Sequence, residues 1–376
     1  MSTVQKIKSL RHEIWLGICR AMPIQQNKIL LWSDNFKSFG CSPKYIALYL
    51  AEHFPEKYDV VWVLERDRPL PDGLPKGIRV VRYFSMEYLK EISTAKVIIC
   101  NHRTGSYHYF KKRPGQFYIQ TWHSSLRLKR IEKDAPGLPD DYAAYAEADS
   151  AMIDLLLSGC AFSTDIFRRA FWYNGEILES GTPRCDCFFA DNKAVKEKVY
   201  RFFGIGMDKK LALYAPTFRK DKTASVYGMD FSRLQDALGQ NWAVGCRLHP
   251  NLNADVSSED CIAMSSYPDM QELLCACDLL ITDYSSSMFD MAVAGKKCVL
   301  YVPDLENYIA NERGLYFDIQ ALPFKKAADM DALCRCVSDF GGYEERCKVF
   351  LEEIGSFEKG NAAKTVAQRI ERICNG

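Results

Sequence analysis

No apolar stretch of this 376-residue chain reaches the length that spans a bilayer, about 20 residues. A membrane-crossing helix is therefore not expected. Charge of one sign is also missing: Lys+Arg 49 stand against Asp+Glu 48, which gives no global attraction to nucleic acid. The 15 cysteines lack metal-ligand spacing. Cys185 and Cys187, Cys275 and Cys277, and Cys334 and Cys336 are each separated by a single residue, too close for common zinc sites. No secretory leader is recognisable, so reduced thiols in the cytoplasm are expected. Internal repeats and low-complexity runs are absent as well. What remains is a chain with 48% apolar residues, enough for a true core and, at this length, for two domains.

Apolar runs alternate with helical patterns throughout. In the first half, 29–32, 60–64, 80–81, 97–100 and 117–119 read as strands, and 42–52 and 86–93 as helices. Residues 149–158 fit either a strand or a short helix. In the second half, strands are expected at 211–214, 243–247, 279–282 and 299–302, with helices at 192–203, 231–238, 270–277 and 287–294. Strand–helix alternation implies parallel sheets. The expectation is an α/β fold of two doubly wound, Rossmann-type domains facing a central cleft. Gly181-Thr182-Pro183-Arg184 interrupts the pattern and suggests boundaries at 1–185 and 186–360, with a last helix in 361–376 packing back on the first domain. At the N-terminus, Val4, Ile7, Leu10, Ile14, Trp15, Ile18 and Met22 recur at helical spacing between Lys6, Lys8, Arg11 and Arg20. Such a basic amphipathic helix suits an anionic membrane surface or packing against its own domain.

Residues 279–308 are the most informative stretch. An apolar strand leads into Thr282, Asp283, Tyr284, Ser285, Ser286 and Ser287, and then into a short helix closed by Gly295. Hydroxyls and free backbone N–H groups gathered at a helix start suit phosphate, although Ser and Asp are also ordinary caps. Two histidines follow other strands: His123 in Gln120-Thr121-Trp122-His123 and His249 in Arg247-Leu248-His249-Pro250. A lone histidine is commonly structural. Two at strand exits, in separate halves, sit where open α/β sheets bind ligands.

Together these segments closely resemble the CDP-glycerol glycerophosphotransferase family of teichoic-acid and capsule enzymes. The resemblance is carried by QTWH at 120–123, GTPRCD at 181–186, LYAPTFR at 213–219, RLHP at 247–250, ITDYSSSMFD at 281–290, DLENY at 304–308 and RGLYFD at 313–318. It departs where His123 is followed by Ser124, Ser125 and Leu126 instead of the usual GTP, and where Thr182 and Cys185 replace Tyr and Asn. The resemblance implies a GT-B-like architecture. It also implies transfer of glycerol phosphate from CDP-glycerol to a hydroxyl of a lipid-linked or polymer acceptor, with release of CMP at the inner face of the cell membrane. His123 and His249 are the implied catalytic pair, acting as base and phosphate stabiliser in either order. Arg247, Thr282, Asp283, Ser285, Ser286 and Ser287 are the implied substrate-binding set. Arg184 and Arg219 are further phosphate candidates, and Glu306 or Asp283 candidates for sugar or glycerol hydroxyls. Lys129, Arg130 and Lys133, with Lys111, Lys112 and Arg113, form a basic strip that would attract a lipid pyrophosphate. His12, His53, His102 and His108 read as structural. No metal cluster is visible, and a loosely held Mg²⁺ on the pyrophosphate stays open.

The chain lacks the large extra N-terminal domain that family polymerases often carry, which favours a primase. CDP-ribitol as donor, a nucleotide-sugar glycosyltransferase and a non-catalytic assembly scaffold are the alternatives.

Overall fold

A computed structural model describes residues 3–104, 110–217, 228–248, 261–311 and 314–376. The first half comprises α1 (Thr3–Ala21), β1 (Gln25–Leu31), α2 (Cys41–His53), β2 (Asp59–Leu64), β3 (Ile78–Arg82) and α3 (Met86–Thr94). It continues with β4 (Ala95–Cys100), β5 (Phe117–Gln120), α4 (Asp140–Ser150), β6 (Leu155–Leu157), α5 (Ala161–Ala170) and β7 (Glu176–Leu178). The second half runs α6 (Lys193–Phe203), β8 (Lys210–Tyr214), α7 (Phe231–Leu238), β9 (Trp242–Cys246), β10 (Ile262–Ala263), α8 (Met270–Ala276) and β11 (Leu279–Thr282). After these come α9 (Ser287–Val293), β12 (Lys297–Tyr301), α10 (Leu305–Asn311), β13 (Lys325–Ala327), α11 (Met330–Ser338), α12 (Tyr343–Glu353) and α13 (Ala362–Asn375).

Two parallel sheets result, ordered β3-β2-β1-β4-β5-β6-β7 and β10-β9-β8-β11-β12-β13. Both faces of each sheet are covered, which is why the central strands are continuously apolar rather than alternating. Leu30 points toward Leu16 of α1, Leu89 of α3 and Phe167 of α5. Its neighbours Ile29 and Leu31 face Ile46 of α2 and Val366 and Ile370 of α13. The last helix of the chain thus packs on the first sheet. In the second sheet one face meets α6, α8, α9 and α12, and the other meets α7 and α11.

The strand order reverses between β1 and β4 in one sheet and between β8 and β11 in the other. At such a switch point the flanking loops diverge and leave a crevice at the carboxyl ends of the strands.

The expected central strands and helices are present, with ends shifted by a residue or so. Residues 149–158 contain both alternatives, the end of α4 and then β6. The strands that patterning missed, β7, β10 and β13, all lie at sheet edges. An edge strand is short and flanked on one side only, so Glu176-Ile177-Leu178 and Lys325-Lys326-Ala327 carry no long apolar run.

Candidate active site

The loops after β4 and β5 build one wall of the cleft. These strands are register neighbours, with Cys100 opposite Gln120, so the residues just beyond them emerge side by side. His102 and His123 stack with ring centroids 5.1 Å apart and planes 13° apart. Trp122, at φ 53° in the left-handed region, also lies against His123, with ring centroids 4.4 Å apart.

One buried residue, Asn101, fixes both rings. Its backbone carbonyl lies 3.1 Å from His123 Nδ1. A carbonyl only accepts, so Nδ1 carries the proton and Nε2 is the basic nitrogen. The Asn101 side-chain oxygen accepts from His102 Nδ1 at 2.7 Å and from the Asp34 backbone N–H at 3.0 Å. The amide cannot flip, because its Nδ2 donates to Asp34 Oδ1 at 3.1 Å. Burial, then His102, Arg184 and Arg127, push the His123 pKa down to about 3, only partly opposed by the Asn101 carbonyl. Burial likewise lowers His102.

A buried carboxylate ties this wall to the second half. Asp290 of α9 accepts from Arg184 Nη2 at 2.7 and 2.9 Å, from Gln271 Nε2 at 3.1 Å and from Ser125 Oγ at 3.3 Å. Arg184 Nη1 donates to the carbonyl of His123 at 2.7 Å. Arg184 is therefore no surface cation; it links the His123 backbone to the helix after the serine turn. Asp290 was not singled out in the sequence. Its signal was a carboxylate inside a fully buried run from Met288 to Ala292, a setting that requires a partner. A second buried bridge joins the halves, where Lys44 of α2 meets Asp269 at 2.6 Å and Glu272 at 2.8 Å.

The opposite wall comes from the ends of β9 and β11. Ser285, Ser286 and Ser287 line a cavity of about 220 Å³ together with Arg184, Arg247 and Gln271. An adjoining cavity of about 260 Å³ is lined by Asp34, Ser38, His102, His123, Arg184 and Arg247. Arg247 belongs to both, anchored by Nη1 on the carbonyl of Tyr267 at 2.5 Å. Burial lowers its pKa, so it is a cation held in poor solvent. Ser287 Oγ and Ser285 Oγ are 2.9 Å apart.

Other sequence candidates fall elsewhere. Thr282 is buried in the sheet, its hydroxyl donating to the Ala215 carbonyl at 2.6 Å. Asp283 accepts from the Thr217 backbone N–H at 2.8 Å and hydroxyl at 2.5 Å, fixing the loop after β8. Glu306 is exposed on α10 and lines neither cavity. His249, Arg219 and His108 lie outside the described residues. In the basic strip, Lys112 pairs with Asp154 and Arg113 holds the carbonyl of Met22, so these two anchor structure. The divergent Ser124, Ser125 and Leu126 are buried and line neither cavity; Ser125 stands behind Asp290, which lines the serine-side one, and Leu126 lies within the core of the second half.

Residues 16–372 match the family model described as CDP-Glycerol:Poly(glycerophosphate) glycerophosphotransferase. The chain belongs to this family. It is accordingly a glycerophosphotransferase. A teichoic acid poly(glycerol phosphate) polymerase of Bacillus spizizenii is 30% identical over 98% of both chains. A teichoic acid glycerol-phosphate transferase of Staphylococcus aureus is 28% identical over 98% of this chain and 99% of its own. Teichoic acid glycerol-phosphate primase of Bacillus subtilis is 28% identical over 74% of each. Relatives named as poly(glycerol phosphate) polymerase differ in length: this chain covers 98% of the one from Bacillus spizizenii but 45% and 51% of those from Bacillus subtilis and Staphylococcus epidermidis. Among solved structures, the wall teichoic acid polymerase TagF superposes with a TM-score of 0.85 at 27% identity, covering 100% of this chain and 98% of that one. The fold is GT-B-like, as its two parallel sheets and the TagF likeness both indicate.

Proposed function

We propose that the cleft transfers glycerol phosphate from CDP-glycerol to an acceptor hydroxyl with His123 as general base. The observation that carries this reading is the Asn101 carbonyl on His123 Nδ1, which leaves Nε2 as the basic nitrogen beside the cavity. The acceptor O–H proton goes to Nε2 while the oxygen forms a bond to the glycerol-bearing phosphorus. The bond from that phosphorus to the CMP oxygen breaks, and CMP leaves with the electron pair. Arg247 and the Ser285 and Ser286 hydroxyls hold the pyrophosphate, and Arg247 supplies charge where the phosphoryl oxygens need it. An anionic donor in the cleft raises the basicity of His123 from its depressed value, so the base strengthens as substrate arrives. His249, two positions after Arg247, is assigned to the departing phosphate on the family motif alone. Arg184 acts as a positioning residue.

The donor side is then the second half, about 186–360, and the acceptor side the first, 1–185, with 361–376 completing the first sheet's cover. No step is routed through Mg²⁺. Among the described residues no group of three His, Cys, Asp or Glu could hold a metal ion, and Asp283 and Asp290 are spent on Thr217 and on Arg184, Ser125 and Gln271. Ribitol-phosphate polymerases are among the relatives at 25% identity, which keeps CDP-ribitol the second donor to test.

A lipid-linked acceptor fits α1. No described helix is long and apolar enough to cross a membrane. Yet Leu10, Ile14 and Ile18 form a stripe 58%, 57% and 49% exposed, while Leu16 and Cys19 on the opposite side pack inward. This stripe lies on the membrane surface in our reading. Replacing all three by Ser should abolish flotation with phosphatidylglycerol vesicles without lowering donor affinity; flotation at the wild-type level would remove the membrane assignment.

The direct test titrates CDP-glycerol, CDP-ribitol and UDP-glucose by calorimetry and follows CMP release. CDP-glycerol should bind both the native protein and His123→Ala, with transfer lost only in the variant. A UDP-sugar signal with silence from both CDP-alditols would replace this reading with a glycosyltransferase.

A further inference from the structure

His102 is surplus to the mechanism above, yet it is built into the cleft as carefully as His123. Its Nδ1 is held by Asn101 Oδ1 at 2.7 Å, so Nε2 carries the lone pair. Nε2 has no hydrogen-bond partner among the described residues, and the ring lines the cavity that His123 lines. The two rings are nearly parallel, and each is anchored through Nδ1 to the same residue. The cavity therefore offers two imidazole acceptors side by side.

The support behind His102 is costly to build. Asp34, which locks the Asn101 amide, opens a run of left-handed backbone at non-glycine residues: Asp34 φ 50°, Asn35 φ 55°, Phe36 φ 68° and then Cys41 φ 55°. Ser38 Oγ donates to the second Asp34 oxygen. Asp34 and Ser38 line the same cavity as the histidines. A histidine needed only for packing would not call for a fixed tautomer with its free nitrogen beside the base.

We infer that His102 is a specificity-determining residue that accepts a hydrogen bond from the hydroxyl adjacent to the attacking one, so that the acceptor end is recognised as a vicinal diol. A glycerol-phosphate chain end offers that pair, a primary hydroxyl beside a secondary one. With the secondary hydroxyl on His102, the primary one falls to His123, and the new linkage forms at the terminal carbon. The inference rests on the transferase reading and adds the choice of hydroxyl to it.

The experiment compares two soluble acceptors, one ending in glycerol phosphate and one in 3-hydroxypropyl phosphate, which keeps the primary hydroxyl and lacks its neighbour. kcat/KM is read from CMP release with CDP-glycerol as donor. The native enzyme should prefer the diol by about tenfold, as one hydrogen bond in a partly buried site predicts. His102→Phe, which preserves the ring against His123, should bring the ratio close to one. His102→Gln, whose amide oxygen can still accept, should restore part of the preference and serves if the Phe variant folds poorly. A native enzyme indifferent to the neighbouring hydroxyl, or a His102→Phe variant that slows both acceptors equally, overturns the inference while leaving the transferase reading standing. No CMP release by the native enzyme with either acceptor also overturns the inference, and CDP-glycerol binding by calorimetry then decides separately whether the transferase reading stands.

Discussion

The two walls of the cleft are made differently. The histidine wall is rigid: each ring is fixed through Nδ1, stacked on its neighbour and backed by Asn101 and Asp34. The serine wall is looser. Ser286 Oγ has no hydrogen-bond partner among the described residues, and Ser285 and Ser287 bond chiefly to each other. Proton transfer depends on which nitrogen bears the lone pair and where it points, so a base profits from being over-determined. A phosphate cradle profits from hydroxyls left open to the ligand. The division of labour proposed for the halves has this physical basis.

That contrast can be broken from either side. The largest effect is expected at the rigid wall, where His123→Ala should cut transfer by about 10²–10⁴-fold while calorimetry still detects donor binding. A variant that loses donor binding instead would move His123 to the donor side. Asp290→Ala should come next, because it strands the Arg184 cation in the interior. Thermal or urea unfolding should show a loss of about 3–5 kcal/mol, and an unaltered midpoint would mean that Arg184 finds other partners. On the open wall, Arg247→Ala should weaken CDP-glycerol binding by about 1.5–3 kcal/mol, the range for a charged hydrogen bond. Ser285→Ala with Ser286→Ala should cost less, about 0.5–1.5 kcal/mol for each bond lost. If the serine pair outweighed Arg247, hydroxyls and not the cation would dominate donor recognition.

The smallest expected effect is a pH dependence at the passage between the halves. Glu358 accepts from the Thr182 backbone N–H at 2.9 and 3.1 Å, and burial, with Asp290 and Asp186 nearby, raises its pKa to about 8 from the ordinary 4.5. The native state holds this proton in a range where the unfolded chain has released it. Its contribution is thus full below pH 4.5 and is lost as pH rises through about 8. Glu358→Gln cannot titrate, so its unfolding midpoint should fall less than that of the native protein over that interval. Parallel curves would place the Glu358 pKa near the unfolded value.

Much of this site is legible in the sequence, for identifiable reasons. His123, Arg247 and Ser285–Ser287 each follow an apolar run, and a strand exit in an α/β chain is where ligands gather. Asn101 was invisible because a single amide after a strand has no pattern; its role depends on two rings and a carboxylate brought from elsewhere in the chain. Thr282 and Asp283 show the converse. Their residue types suit a ligand, yet folding turns Thr282 to the Ala215 carbonyl and Asp283 to Thr217. Arg184 and Asp290 lie 106 residues apart, beyond the reach of any local reading.

The sequence alone determined the two parallel sheets, since hydrophobic period and strand–helix alternation are local properties of the chain. It also determined the family, through motifs spread over both halves in order. Tertiary structure decided which nitrogen of each histidine is basic, which carboxylate neutralises the buried arginine, and which face of α1 stays exposed. Those outcomes turn on hydrogen bonds and burial between residues distant in the chain, and such contacts exist only once the sheets have been brought together.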